Sequence, residues 1–512
     1  MAVYGIDLGT TYSCIARSDG SGGIEALQIA DNSSATPSVV TFDPTTARPI
    51  VGSNAKNCMR TKPECTKAFV KREMHKEFCD EQITVKGVKR PITPIEVQAC
   101  IIRHLVKEAN ILEKGAGRPE IKDAVITVPA KFDEIQRART KLAAELAGVH
   151  VLGLLQEPTA AAIAYDIPAG NTVLVFDLGG GTLDVSIVRN QGGNYVVLGT
   201  PTGDGHLGGV DWDEVLLKLA LRMAEKPIPT DSKKWNKLMN RTEECKKLLS
   251  QGDADLELSD DDSVEIEMSD FENAAQHLLN RCMTLVDNAI ENAKKQDPKL
   301  KIDFFLTVGG SSKMPMIKKA IVKKYGAIYG KDRTEDQWLR IKDPDTAIAI
   351  GAAKYAQMLS AGMKTSTSNL KAIEDKATHS YGIKILKDGV TQIKNIVKSN
   401  EPMVFSNKVN TLALSKKCSE YTIEIFENIV ASDYARFGES KERSILRRSV
   451  SLGKEYPRGT SVSLQVERDA NGMIHLRLTC DKTITNIDVS CGNDLIDSET
   501  RKIIENSIAL MG

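Results

Sequence analysis

The chain has 512 residues, 41% of them hydrophobic, and its 68 lysines plus arginines match its 68 aspartates plus glutamates. That length holds two or more domains with ample core, and the even charge balance excludes a long-range field steering the chain to nucleic acid or an anionic membrane. Ten cysteines without Cys-x-x-Cys or Cys/His ligand spacing argue against a zinc site and for reduced, mostly buried thiols.

Met1 leads straight into a strand and no apolar run reaches the ~18 residues of a membrane span, so a cytoplasmic protein is expected. Val3 to Arg17 reads as a short apolar strand, then Asp7-Leu8-Gly9, small hydroxyl residues and a return strand. Asp31 to Pro37 is a polar turn and Ser38 to Phe42 a short strand. Lys71 closes a lysine-bearing stretch from Thr61 to Arg72, and pattern alone makes it a solvated surface group. Thr93-Pro94-Ile95-Glu96 is a capping box with proline at the first helical position, predicting a helix to about Leu112. Ala124 to Val128 reads as a buried strand ended by Pro129, and Asp133 with Gln136 caps a helix closed by Gly148. Strand, helix and strand in this order fit an α/β core around a central sheet. Glu157 opens a helix of small residues through Tyr165. Its alanines permit close packing, which would set that glutamate against whatever the next element binds.

That element runs from Val173 to Val188: an apolar strand, Asp177, Gly179-Gly180-Gly181, Thr182, Asp184 and an alternating strand. Glycines let backbone N–H groups converge on a phosphate because no Cβ blocks the approach, and Thr182 adds a hydroxyl. Carboxylates repel phosphate, so Asp177 and Asp184 imply a divalent cation between them and a nucleotide. For one such hairpin an empty Gly-rich turn is an equal reading. The same pattern at Asp7 makes two related halves that would grip one nucleotide from both sides.

Gly203 to Gly209 is a further Gly-rich turn in which His206 reads as a hydrogen-bonded turn residue. Asp211 to Ala224 and Trp235 to Leu249 are expected helices, the second carrying Glu243, Lys246 and Lys247, which by pattern form a solvated face. Phe304 to Val308 is a strand running into Gly309-Gly310-Ser311-Ser312-Lys313 and then a helix, a geometry that brings backbone close to a ligand. Asp343-Pro344-Asp345 starts a helix from Thr346 to Leu359, and Ser360 to Ser368 reads as linker. From about His379 the texture becomes short alternating runs, Tyr421 to Phe426, Ser461 to Val466 and Met473 to Thr479. With a hairpin turn at Asp469 to Gly472, these predict a small β-sandwich or barrel. Asp497 caps a final helix through about Met511.

Five motifs, Gly5 to Thr11, Val128-Pro129-Ala130, Glu157 to Tyr165, Phe176 to Asp184 and Gly309 to Pro315, resemble in order and spacing the seventy-kilodalton heat-shock chaperone family of the actin-like ATPase superfamily. The resemblance spans nearly the whole chain. It implies an α/β actin-like (duplicated, ribonuclease-H-like) ATPase domain over 1–363 and an interdomain linker over 364–378. An all-β sandwich peptide-binding domain would follow over 379–492, then a short lid-helix remnant over 493–512. The implied activity is hydrolysis of ATP to ADP and phosphate with Mg2+, K+ being a further candidate. By position, Gly9, Thr10, Thr11 and Tyr12 would meet the phosphates, and Asp7 and Asp177 would hold the magnesium shell with Asp184 in support. Lys71 would be the catalytic lysine, against its surface reading from pattern, while Glu157 and Thr182 would position water and phosphate. Glu243, Lys246, Ser250, Gly310 and Asp345 match the ribose and adenine positions. Gly179, Gly180, Gly181, Gly208, Gly209, Gly309 and Ser311 are further nucleotide-binding candidates.

The chain also departs from that pattern. Lys247 and Lys313 stand where the family stacks two arginines on adenine, and an ammonium stacks less well than a planar guanidinium, so weaker nucleotide binding is expected. Gly153 stands where bacterial members carry the arginine that meets J-domain co-chaperones, which weighs against ordinary J-domain stimulation; a nucleotide-exchange factor remains a candidate partner. The linker run Leu370-Lys371-Ala372-Ile373-Glu374-Asp375 keeps at most two docking leucine positions. Each buried aliphatic side chain contributes roughly 1.5–3 kcal/mol and coupling between sites amounts to roughly 1–3 kcal/mol, so losing one weakens the coupling severely. With only Ser498 to Met511 after the β-rich part, bound peptide is expected to leave quickly. The leading expectation is an ATP-dependent chaperone holding unfolded or extended polypeptide by strand addition and pockets. The alternative is a regulatory co-chaperone or nucleotide-dependent scaffold of the same family. Peptide-pocket residues between Ile383 and Val430 are not assignable from sequence.

Overall fold

The computed structural model describes residues 2–19, 22–29, 33–259, 261–341, 344–364, 379–387, 390–399, 401, 405–414, 416–440, 442–468, 474–481, 483–488 and 495–512. Asp31, Asp343, the linker run at 370–375 and the turn at 469–472 lie outside them.

Two sheets of like connectivity organise the N-terminal part. The first takes the order His150–Gln156, Asp123–Val128, Val3–Leu8, Tyr12–Ser18, Ile24–Ala26, and the second Asn194–Asp204, Leu183–Gln191, Thr172–Leu178, Phe304–Val308, Leu339–Arg340. In each, three antiparallel strands come first, followed by two strands parallel to the first of them. The parallel strands need long crossovers, and helices supply them: Pro94–Gly115 and Glu134–Leu146 in the first half, Gln276–Gln296 and Pro315–Tyr329 in the second. Caps fix the first pair. Thr93 accepts the Glu96 N–H, and Asp133 with Gln136 forms a reciprocal capping box. Each half buries its own core, around Ile6, Phe42 and Ile101 in one and Phe176, Trp212 and Phe305 in the other.

Between the sheets, the helix Glu157–Ala164 lies against the helix Ala347–Lys364. A Cβ added to Gly351 would stand 1.8 Å from the Ala160 carbonyl oxygen, so the two backbones touch there. Several expected boundaries move. The last helix runs five residues past Leu359, taking in residues 360–364 that composition marks as linker. The helix expected at Trp235 starts at Ser232, because Asp231 accepts the Lys234 N–H and caps it earlier. The helix expected at Asp211 to Ala224 spans Gly209–Met223. Ser38 to Phe42 is not one strand: Thr36–Pro37 pairs with Tyr12–Ser18, and Val40–Phe42 joins a separate small sheet. Ser38 turns the chain between them, its N–H bonding Thr11 O and its hydroxyl donating to Gly9 O at 2.8 Å.

The C-terminal β-rich part is a two-sheet sandwich. One sheet holds Tyr434–Arg436, Val390–Val397, Ser380–Lys387, Cys418–Asn428 and Arg443–Tyr456; the other holds Phe405–Ala413, Ser461–Arg468, Ile474–Cys480 and Thr483–Asp488. Ile383, Ile423 and Ile425 meet Val462, Leu464 and Leu478 in one buried cluster. This part touches the first half through Arg443, which pairs with Asp133 and, at 2.7 Å, with Glu427. The final helix Ser498–Met511, capped by Asp497, packs on the Pro94–Gly115 helix. Ile504 and Met511 join that half's core and the Ser507 hydroxyl donates to Glu96 at 2.8 Å. Among the described residues no helix is long and apolar enough to cross a membrane.

Candidate functional site

A cavity of about 690 Å3 is walled by both Gly-rich hairpins. The hairpin turns touch, since a Cβ on Gly180 would fall 2.0 Å from Thr11 Oγ1; only glycine allows that approach. Asp7, Gly9, Thr10, Thr11, Tyr12, Lys71, Glu157, Asp177, Gly179, Gly180 and Thr182 line the cavity, as do Gly209, Glu243, Lys246, Lys247, Ser250, Gly309, Gly310, Ser311, Lys313 and Asp345. Gly181, Gly208 and Asp184 stand outside its wall. A Cβ on Gly208 would fall 2.4 Å from the Gly181 backbone and one on Gly181 2.4 Å from Thr10 Cγ2, and Asp184 pairs across the strands with Asp177.

Lys71 is not a surface group. Its side chain is 10% exposed and its ammonium lies 2.6 Å from Glu157 Oε1, itself at the first position of the small-residue helix. Burial first, then the Glu157 charge, pushes the Asp7 carboxyl up to about 7, against the pull of Lys71 and of the Thr127 hydroxyl, which donates to it at 3.0 Å. Burial, then Glu157 and Asp184, holds Asp177 well above the carboxylate range. Burial takes Asp184 up to about 6, with Lys131 the chief offset. Burial disfavours the Lys71 charge, but Glu157 and Asp7 outweigh it and hold the ammonium above its ordinary value. Four carboxylates, Asp7, Glu157, Asp177 and Asp184, therefore outnumber the two lysines, Lys71 and Lys131, that offset them.

That donor set fits a hard divalent cation carrying phosphate. Such an ion takes one or two protein carboxylates and completes its shell with water and phosphate oxygens. Among the described residues, no three His, Cys, Asp or Glu side chains stand close enough to hold an ion unaided, so Asp7 and Asp177 suit a metal brought in with its ligand. Thr11 Oγ1, in the cavity wall, is buried with no hydrogen-bond partner among the described residues, leaving a hydroxyl for that ligand.

The far wall is an ion network that sequence reasoning missed. Lys56 donates to Glu243 at 2.5 Å and to the Tyr12 hydroxyl at 3.0 Å, and Tyr12 donates to Glu243 at 3.0 Å. Burial raises the Glu243 carboxyl, but Lys56 and Lys247 overcome it and bring it down to about 2. Lys56 sits in the helix Ser53–Thr61 of the first half and Glu243 in the second, so the pair bridges the cleft. No motif marks Lys56. Lys246 pairs at 2.7 Å with the buried Asp213, another residue without a sequence signal, and Lys313 pairs with Asp345. Lys247 is half exposed beside Glu243 and Glu244.

Comparison with known proteins gives a consistent result. The family described as Hsp70 protein matches residues 3–508. A heat shock protein of Pyricularia oryzae is 35% identical over 399 residues, covering 71% of this chain and 62% of the relative. A chaperone protein DnaK of Mycoplasmopsis agalactiae is 36% identical over 375 residues, 70% of this chain and 58% of the relative. Another chaperone protein DnaK, from Thermotoga neapolitana, is 32% identical over 502 residues, 93% and 77% of the two chains. The chain thus spans less than two thirds of the length of the first two of these relatives.

Proposed function

This chain belongs to the Hsp70 protein family, and from that premise we propose that it hydrolyses ATP between its two hairpins and uses the cycle to hold and release extended polypeptide. The observation that carries the reading is the buried Lys71–Glu157 pair in the wall of a cavity that both hairpins line. The repeated sheets are then the halves of an actin-like ATPase unit over 1–363, and the sandwich over 379–492 is the peptide-binding part. The cycle would run in the cytoplasm.

Phosphoryl transfer asks the protein for positioning and charge neutralisation more than for covalent chemistry. Backbone N–H groups of Gly9 and Gly180 and the hydroxyls of Thr10, Thr11 and Thr182 cradle the phosphates, while the Gly179 N–H closes the hairpin turn on the Thr182 carbonyl at 3.0 Å. Lys71, fixed by Glu157, sets its charge against the transferring phosphoryl oxygens, and Glu157 orients the attacking water. Asp7, held by Thr127, and Asp177 would hold Mg2+, which would supply positive charge to neutralise the phosphates. Lys246, Ser250 and Gly310 flank the nucleoside.

The Lys56–Glu243 bridge closes the cleft over the bound nucleotide. Lys56→Ala is expected to speed nucleotide release by about 10- to 100-fold, the worth of one charged hydrogen bond, roughly 1.5–3 kcal/mol. Stopped-flow release of a fluorescent ADP measures it, and an unchanged rate would remove the latch role from Lys56.

For the polypeptide, the sandwich offers a cavity of about 290 Å3 with an apolar lining of Ile383, Leu412, Tyr421, Ile423 and Leu464, flanked by exposed Lys384 and Arg447. An apolar side chain suits the first set and a peptide backbone the polar surroundings. ATP turnover measured with and without an unfolded apolar peptide tests the whole proposal. Acceleration by peptide is the expected result. Turnover that ignores peptide transfers the chain to the co-chaperone or scaffold reading, and no turnover defeats the ATPase assignment.

A further inference from the structure

Resting on that ATPase reading, we infer that Lys131 is a second cationic positioning residue of the phosphate site, acting from outside the cavity through Asp184 and the Gly203 carbonyl. Lys131 follows Pro129 and Ala130 in the turn between the strand Asp123–Val128 and the helix Glu134–Leu146, so it belongs to the first half. Asp184 and Gly203 are register partners on neighbouring strands of the second sheet. The Lys131 ammonium crosses between the halves and donates to Gly203 O at 2.9 Å. A Cβ built on Gly203 would lie 2.6 Å from Asp184 Oδ1 and 3.0 Å from Lys131 Nζ, so carboxylate, ammonium and glycine share one small space. A side chain at position 203 would part them.

Asp184 is in turn the cross-strand partner of Asp177, whose carboxylate faces the cavity. Lys71 answers the carboxylates from the cavity side. Lys131 answers them from beyond the cavity wall, beside Asp184, which as the cross-strand partner of Asp177 lies on the same face of the hairpin. Charge fixed in a partly buried setting is worth far more than in water. A cation there restrains Asp184 from turning toward the phosphates and leaves Asp177 as the carboxylate presented to them. Lys131 also ties the two hairpin-bearing halves together at the phosphate end, as Lys56 does at the opposite wall.

A lysine that merely tethers two segments would act by its hydrogen bond and packing, and alkylammonium rescue separates that role from a positioning charge. In the full chain, Lys131→Ala is expected to lower ATP turnover by about 10- to 100-fold with little change in ADP affinity. Ethylammonium added to the buffer recovers a large part of that loss by entering the vacated space. Lys131→Met fills the space, loses turnover alike and gains nothing from ethylammonium, and Lys131→Arg retains most of the activity. The assignment is overturned if Lys131→Ala turns over within about twofold of the parent chain, or if its loss is blind to ethylammonium and tracks a fall in melting temperature. A parent chain without turnover overturns the ATPase reading itself and this assignment with it. An active parent with an indifferent Lys131→Ala overturns this assignment alone.

Discussion

Replacing Lys71 by alanine is expected to cut ATP turnover by about a thousandfold while leaving nucleotide affinity within a few-fold of the parent chain. The asymmetry follows from where the residue sits. Lys71 is buried with Glu157 beside Asp7 and Asp177, whereas the Lys56, Tyr12 and Glu243 network and the Lys246–Asp213 pair line the cavity independently of it. Charge on the transferring phosphoryl group develops only as the reaction proceeds, so a cation placed there stabilises the transition state more than the bound nucleotide. Its loss therefore falls on the chemical step. Removing the ammonium also leaves Glu157 buried and unpaired, which costs about 3–5 kcal/mol, so a lower melting temperature should accompany the lost activity. Single-turnover hydrolysis and calorimetric ADP binding measured on one preparation separate these effects. Turnover retained, or a loss confined to affinity, would move the catalytic cation elsewhere.

How much of this site could be read from sequence depended on how far apart its partners lie. The hairpins are legible because their pattern is local: Asp7 to Thr11 and Asp177 to Thr182 each carry a carboxylate, glycine and hydroxyl within a single turn. Lys71 is not, since its partner lies 86 positions away and pattern sees only a lysine among lysines; resemblance to the family supplies it. Lys56 is harder still, with a partner 187 positions on and no motif around it. Asp213 and Thr127 look like ordinary helix and strand residues until burial pairs them with Lys246 and Asp7. The same limit applies to the fold. Helix Gln276–Gln296 is absent from the expected elements although Leu279, Met283, Val286, Ile290 and Ala293 recur at helical spacing on its buried side. The helix Ser498–Met511 is expected as a helix, but its docking on Pro94–Gly115 depends on a face formed by distant residues.

The close-packed pair of helices between the sheets gives the other large effect. Valine at position 351 is expected to destabilise the N-terminal part by about 3 kcal/mol and to take hydrolysis down with it. Gly351 lies so near Ala160 that an added Cβ meets a carbonyl oxygen at 1.8 Å, a separation no rotamer choice relieves. The helices must part, and the one bearing Ala160 begins at Glu157. Since a misplacement of about 1 Å at a reacting centre can cost on the order of a hundredfold in rate, a shift of Glu157 away from Lys71 reaches the chemistry directly. Calorimetric melting and turnover well below the melting temperature are the two readouts, with Gly115→Ala, where an added Cβ meets nothing within 4 Å, as the control. An unchanged melting temperature would deny the close packing. A lowered melting temperature with full turnover per folded molecule would show that Glu157 is held by Lys71 and the strand end at Gln156, not by the helix that follows it.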